Sequence, residues 1–382
     1  MAMGDKIRVL IADDSAFMRK VLVSILTSDP QIEIVGEARD GRDVVAKSEM
    51  LKPDVITMDL NMPHMNGLEA TEVIMSTQPR PIVVVSSESR EGAEPTLRAL
   101  ELGAIDWVAK PTSGIDLDMV SVRDELLRKI RVASKVRVVR NATRARTAAA
   151  SLSGEISRGE QTDTAASATQ ASESETENPV PQENLKLPVV VISASTGGPQ
   201  TLMQLVPSFP ERFPGAVLLV QHMPGAFTSQ FSAQLDEVAK VTVKEAEPGE
   251  IMQAGRMYLC PGSHHLRVSN TGRLVLDDGP RINGYKPCAD VTLETASAFA
   301  GNSTISVVLT GMGNDAARGS VAVKERGGYV IVQDEASAVI FGMPAETIKT
   351  GCADAVVPLE RLYMTIEKRI LWLRGAAQVG VL

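Results

Sequence analysis

Short apolar runs alternate with longer amphipathic stretches over two separate parts of this chain. In the first part the strand-like runs, rich in apolar residues, fall at 7–12, 32–38, 55–58, 82–86 and 107–109, each too short for a helix. The stretches between them, near 17–27, 42–51, 67–76, 95–102 and 120–131, carry apolar residues at helical spacing. Regular strand–helix alternation predicts a parallel sheet with helices on both faces. The rhythm stops near Ser134 and resumes near Leu187, with strand candidates at 189–193, 216–221, 257–260, 306–310 and 329–332. The second part does not repeat the first. Between them, residues 135–186 are dominated by Ala, Ser, Thr, Glu and Gln, a composition with too little apolar surface to offset the entropy of ordering. The pattern therefore predicts an α/β protein of two doubly wound parallel-sheet domains, residues 1–134 and 187–382, joined by a flexible low-complexity linker, residues 135–186. A flexible linker of roughly 50 residues reaches about 35–42 Å, enough for one domain to leave the other without losing its tether.

Composition narrows the function classes. Aromatic residues make up 3% of the 382 residues and the net charge is −8, so neither a base-stacking platform nor a globally basic nucleic-acid binder is expected. The linker starts basic (Lys135, Arg137, Arg140, Arg144, Arg146), which reads as a solvated continuation of the preceding helix rather than a DNA-binding arm. Cys260, Cys288 and Cys352 are scattered and form no CxxC pair, which points to reduced thiols. No apolar run approaches a membrane span or a signal-peptide core. A cytoplasmic protein without membrane insertion is the expectation.

Candidate chemistry sits where the strands end, since ligands of parallel sheets bind at the carboxyl edge. In the first domain one strand ends in Asp13-Asp14, another in Asp59 and another in Ser86-Ser87, and a fourth is followed by Lys110-Pro111. Carboxylates brought together at one edge repel unless a cation sits among them, and an oxygen-only set with open positions suits Mg²⁺. A lysine and a hydroxyl beside that cluster are placed to contact a phosphoryl group on one carboxylate. A single Asp after a strand is usually a turn or cap residue; all these features in one order are not.

In the second domain the first strand runs into Ser195-Thr196-Gly197-Gly198-Pro199 and then a helical stretch. A serine at such a turn is exposed near a helix N-terminus, where backbone N–H groups favour developing negative charge. STGG alone fits a phosphate-cradling turn equally well, although it lacks the Walker lysine and does not match G-x-S-x-G. The next strand ends in His222, one of four histidines, and is well placed to supply a general base. His264 and His265, in PGSHH, read as surface or substrate-contact residues. A later strand leads into Gly311-Met312-Gly313-Asn314-Asp315-Ala316, which also fits the G-x-G-x-x-A dinucleotide fingerprint, with Asp334 about 20 residues on. The competing reading makes Asp315 the acid that orients His222, with Asp290 and Asp334 as rivals.

Two resemblances bear on these alternatives. The runs IADDSAFMR, VITMDLNMPHMNGLE, VVVSS and DWVAKP resemble the receiver domain of two-component response regulators. That likeness implies a flavodoxin-like fold with Asp59 as phosphoacceptor, and Asp13, Asp14, Asp59 and the Asn61 carbonyl as Mg²⁺ ligands. It places Ser86 and Lys110 on the phosphoryl group and Trp107 at the aromatic switch position, where the family often has Tyr or Phe. From Leu187 onward, SASTGGP, LVQHMP, FTSQF, LCPGSHH, VVLTGMGND and QDEASAVIFGMP resemble the catalytic domain of chemotaxis protein-glutamate methylesterases. This second likeness implies a Rossmann-like α/β hydrolytic domain with Ser195 as nucleophile, His222 as base and Asp315 as its partner, and with Thr196 and the backbone around Met312 beside the oxyanion. The family usually has Gly where Ala316 stands, and R-P-S-V-D where this chain has Lys286-Pro287-Cys288-Ala289-Asp290. Together the resemblances imply a phosphorylation-activated esterase and glutamine deamidase acting on the cytoplasmic region of methyl-accepting chemotaxis receptors. Its phosphodonor would be a chemosensory histidine kinase, and the ester chemistry would need no cofactor. A receiver fused to a dinucleotide-binding oxidoreductase and a regulator with a nucleic-acid-binding output are the rival readings.

Overall fold

The computed structural model describes residues 6–87, 90–110, 116–136 and 187–378. Pro111 and most of the proposed linker lie outside them.

The N-terminal sheet has five parallel strands in the order β2-β1-β3-β4-β5: β1 (Ile7–Ala12), β2 (Ile32–Ala38), β3 (Val55–Met58), β4 (Ile82–Ser86) and β5 (Asp106–Ala109). Helices α1 (Ala16–Thr27), α2 (Gly41–Leu51), α3 (Gly67–Thr77), α4 (Arg90–Leu102) and α5 (Asp116–Ala133) connect and follow them. The starts are chemically marked. Ser15 caps α1, Asp40 caps α2, and Asn66 with Glu69 forms a full capping box on α3. Helix α4 begins at Arg90, five residues before the expected start, so Pro95 lies within the helix rather than opening it.

The C-terminal sheet has seven parallel strands in the order β14-β13-β12-β6-β7-β9-β8. Its strands are β6 (Val189–Ala194), β7 (Ala216–Gln221), β8 (Thr242–Glu245), β9 (Arg256–Leu259), β12 (Thr304–Val308), β13 (Tyr329–Gln333) and β14 (Ala355–Val357). Strands β10 (His265–Val268) and β11 (Leu274–Asp277) form a separate antiparallel hairpin. The helices are α6 (Gly198–Leu205), α7 (Gly225–Val238), α8 (Ala289–Ala300), α9 (Ala317–Glu325), α10 (Met343–Lys349) and α11 (Leu359–Gln378). Every residue of β6, β7 and β12 is buried, which is why these strands read as continuous apolar runs.

Strand β12 starts and ends two residues before the expected 306–310. Thr304 pairs with Val189, whereas the Thr310 N–H bonds the Gln333 side-chain oxygen at 2.8 Å, so a side chain ends the ladder. His265 is also corrected. It opens β10 fully buried, with Nε2 3.0 Å from the Pro280 carbonyl, and does not lie at the surface. Among the described residues no helix is long and apolar enough to cross a membrane.

Candidate active site

From β6 the C-terminal chain adds β7, then β8 at the sheet edge and β9 between them, and then returns to place β12 on the other side of β6. This reversal opens a crevice at the strand carboxyl ends, the favoured ligand position of an open α/β sheet. Ser195 leaves β6 there. Its N–H bonds the Thr310 carbonyl at 3.0 Å, and its own carbonyl accepts Gly198 N–H at 2.8 Å and Gln221 Nε2 at 2.9 Å. Gly311 packs so closely that a Cβ on it would lie 2.8 Å from the Ser195 Cβ. The Ser195 turn is thus held from both neighbouring strands. Parallel pairing sets Ala194 opposite Gln221, so Ser195 and His222 are the next residues on adjacent strands.

His222 Nε2 lies 2.7 Å from Asp315 Oδ2. No hydrogen bond joins Ser195 to His222 among the described residues; such contacts are often long in the absence of substrate and tighten on binding. Asp315 is fully buried, yet four further donors converge on it. Ala289 N–H lies at 2.7 Å, Asp290 N–H and Ala316 N–H at 2.9 Å, and the Cys288 thiol at 3.3 Å. Burial opposes its charge, but the His222 contact and the amides of Ala289 and Asp290 outweigh burial and hold the carboxyl down at about 2. Asp315 is therefore held toward its ionised form by His222 and by the amides at the N-terminus of α8.

The two rivals have other work. Asp290 accepts Gly319 N–H at 2.7 Å, and Asp334 caps a turn through Ser337 N–H at 3.0 Å. The Gly311–Ala316 turn is closed against Ser195 on one side and aims its carboxylate at His222, so it forms part of this crevice. Sequence reasoning missed Gln221, which ties the Ser195 turn, and the amides of Ala289 and Asp290 on Asp315. It also missed Tyr285, whose ring stacks on His222 at 4.8 Å between centroids. Gln221 carries a signal, as a polar residue ending an otherwise apolar strand; Tyr285 carries none. Burial pushes the Cys288 thiol up to about 12, with the Asp315 charge adding to it, so Cys288 is a hydrogen-bond donor and no nucleophile.

In the N-terminal domain, Asp13, Asp14 and Asp59 each bring a carboxylate oxygen within 4.8 Å of the others at the end of β1 and β3. Lys110 Nζ lies 2.7 Å from Asp59 Oδ2 and 3.0 Å from Asp13 Oδ2, and Lys110 N–H bonds the Ser86 carbonyl at 2.8 Å. Asn61 N–H donates to Asp59 Oδ1 at 3.2 Å. Burial raises the Asp59 carboxyl and the Asp13 charge adds to it, while Lys110 pulls it down; the net is upward. Apart from the Lys110 ion pairs, the buried Oδ2 atoms of Asp13 and Asp59 have no hydrogen-bond partner, as befits oxygens shaped to meet a cation.

The two sites meet through β5. Trp107 is buried with its ring 4.6 Å from Phe227 of α7, and α4 packs on α6 and α7. The Thr196 hydroxyl, beside Ser195, donates to the Asp106 carboxylate in a buried contact between the domains. Lys129 Nζ secures Asp106 from behind, 3.1 Å from Oδ1 and 2.6 Å from the Trp107 carbonyl.

Comparison with known proteins gives two family matches, "CheB methylesterase" over residues 190–366 and "Response regulator receiver domain" over residues 9–120. The chain is 42% identical to the protein-glutamate methylesterase/protein-glutamine glutaminase of Pyrococcus abyssi, covering 99% of this chain and 97% of that one. It is 41% identical to the Thermotoga maritima relative of that name, covering 93% and 96%. Among solved structures it is similar to the T. maritima CheB methylesterase catalytic domain, with 40% identity over 49% of this chain and 99% of that one and a TM-score of 0.46. A second similar structure is the response regulator domain of T. maritima CheB, with 50% identity, coverage of 35% and 98%, and a TM-score of 0.32.

Proposed function

The chain belongs to the protein-glutamate methylesterase/protein-glutamine glutaminase family, and from that premise we propose that Ser195, His222 and Asp315 carry its hydrolytic chemistry under control of phosphorylation at Asp59. Ser195 Oγ attacks the carbonyl carbon of a glutamyl methyl ester while His222 takes the hydroxyl proton. The tetrahedral intermediate collapses with loss of the C–O bond to the methoxy group, which leaves as methanol with the proton from His222. Water, deprotonated by His222, then attacks the acyl-serine, and Ser195 recovers its proton as glutamate departs. A glutamine substrate follows the same course and releases ammonia. Asp315 stays ionised throughout, fixing the imidazole and stabilising its cation. Thr196 and the backbone around Met312 flank the oxyanion. The observation that carries this reading is the 2.7 Å contact of His222 with a buried Asp315 that also accepts three backbone N–H groups, one strand from Ser195.

Control is assigned to the receiver. Asp13, Asp14, Asp59 and the Asn61 carbonyl would hold Mg²⁺, which when bound offsets the negative charge of the pocket and of the incoming phosphoryl group. Lys110 and Ser86 contact the phosphoryl oxygens on Asp59, and Trp107 relays the change. In the resting arrangement Asp106 occupies the Thr196 hydroxyl and sets a carboxylate where negative charge develops during acylation. The phosphodonor is a chemosensory histidine kinase, and the substrate is the cytoplasmic region of methyl-accepting chemotaxis receptors, which puts the enzyme in the cytoplasm. Ser195→Ala tests the catalytic assignment. Methanol release should fall by about 10⁴–10⁶-fold without unfolding, and activity within tenfold of wild type would remove Ser195 from the role.

A further inference from the structure

One side chain touching the base belongs to no part of the mechanism above. Tyr285 lies on the loop before α8, where Ile282 and Tyr285 exchange backbone hydrogen bonds of 3.0 and 2.9 Å. Its ring lies over the His222 imidazole with centroids 4.8 Å apart and planes 20° from parallel. At the other end, the Tyr285 hydroxyl meets Asn314 N–H at 3.3 Å and Asn314 Oδ1 at 3.4 Å. The chain is shaped around that hydroxyl. Gly313 has φ +93°, and a Cβ there would lie 1.9 Å from the hydroxyl oxygen, so no other residue at 313 coexists with this placement of Tyr285. Asn314 immediately precedes Asp315, so Tyr285 touches both the base and the loop carrying the acid that orients it.

The Asp315 hydrogen bond restrains only the Nε2 edge of the imidazole and leaves the ring able to turn about it, carrying with it Nδ1, the nitrogen left to take the Ser195 proton. A stacked ring on one face blocks that rotation. On the reading that His222 is the general base, we propose that Tyr285 is a positioning residue for it: the ring fixes the imidazole plane, and the hydroxyl fixes the ring to the Gly313–Asn314 turn. The stacking face does most of this, since it alone touches His222.

The test uses the full-length protein with a phosphodonor and a methylated receptor fragment, comparing wild type, Tyr285→Phe, Tyr285→Leu and His222→Ala. Tyr285→Leu should lower kcat by about 10- to 100-fold, the cost of misplacing a catalytic group by an ångström or less, with KM within about threefold. Tyr285→Phe should restore most of kcat. With only four histidines in the chain, the His222 ring protons can be assigned by NMR through their loss in His222→Ala. They should show an upfield ring-current displacement that Tyr285→Phe keeps and Tyr285→Leu loses. A wild-type kcat in Tyr285→Leu, or a defect confined to KM, overturns the proposal in favour of a substrate contact or none. If Tyr285→Leu fails to fold, the wild-type spectrum still decides, because undisplaced His222 ring protons would rule out the stack. Retained activity in His222→Ala would instead strike down the assignment of the base, independently of Tyr285.

Discussion

Ala316 shows what a single residue reveals about the site. It has φ +73°, the left-handed conformation that glycine adopts without steric cost, at the N-terminal boundary of α9. The glycine usual to the family at this position thus has a backbone reason. Ala316→Gly should raise stability modestly, by up to about 1 kcal/mol, because relief of the left-handed penalty is partly offset by greater freedom of the unfolded chain. Denaturant midpoints with an unchanged m-value would measure it. Asp290 gives a second test. Burial, with the Asp315 and Glu294 charges adding to it, pushes its carboxyl up to about 6 despite the Gly319 amide and Arg318. Its folded value exceeds its unfolded one, so its contribution to stability is complete below about pH 4 and disappears as pH rises through about 6. Asp290→Asn should therefore gain on wild type between pH 4 and pH 7, by at most about 3 kcal/mol at roughly 1.4 kcal/mol per unit. Parallel stability curves for the two proteins would contradict this. The residues at strand ends were legible because a polar side chain closing an apolar run is a local signal, as with Asp59, Ser195 and His222. Which of Asp315, Asp290 and Asp334 pairs with His222 was not, since it depends on which carboxylate the fold aims at the imidazole.

Among the elements, β5 links the two chemistries. It places Asp106 on Thr196 and Trp107 on Phe227, and the residue after it, Lys110, on Asp59. Any phosphoryl group that draws Lys110 away from the Asp59 carboxylate acts on a strand already anchored in the second domain. Asp106→Ala removes the charge-assisted bond to Thr196, a loss of roughly 1.5 kcal/mol, and should raise the resting esterase rate by up to about tenfold. Initial rates of methanol release without phosphodonor would show it; a rate at or below wild type would dissociate Asp106 from the resting block. Most strands of both parallel sheets could be read from sequence as short runs rich in apolar residues. Strands β8 and β14 and the β10–β11 hairpin could not: each strand has only three or four residues, and β8 and the hairpin strands are of mixed polarity and take their conformation from what they pack against. The same holds for the end of β12, set by a side chain from β13.

On the scale of the whole molecule, each domain puts its chemistry at the carboxyl edge of a parallel sheet, and the contacts of β5 with α7 and the Ser195 turn bring the two edges into communication. That apposition is invisible to any local pattern, because it pairs Asp106 with a residue 90 positions away. On the control proposed above, this is the resting, closed arrangement, and phosphorylation of Asp59 would open it. The most direct measurement is methanol release from a methylated receptor fragment, with and without a small-molecule phosphodonor and Mg²⁺, for wild type, Asp59→Ala and Ser195→Ala. Phosphodonor should accelerate the wild type, leave Asp59→Ala at its resting rate, and have nothing to act on in Ser195→Ala. Wild-type release that ignores the phosphodonor, or an Asp59→Ala variant that still responds to it, would contradict the account.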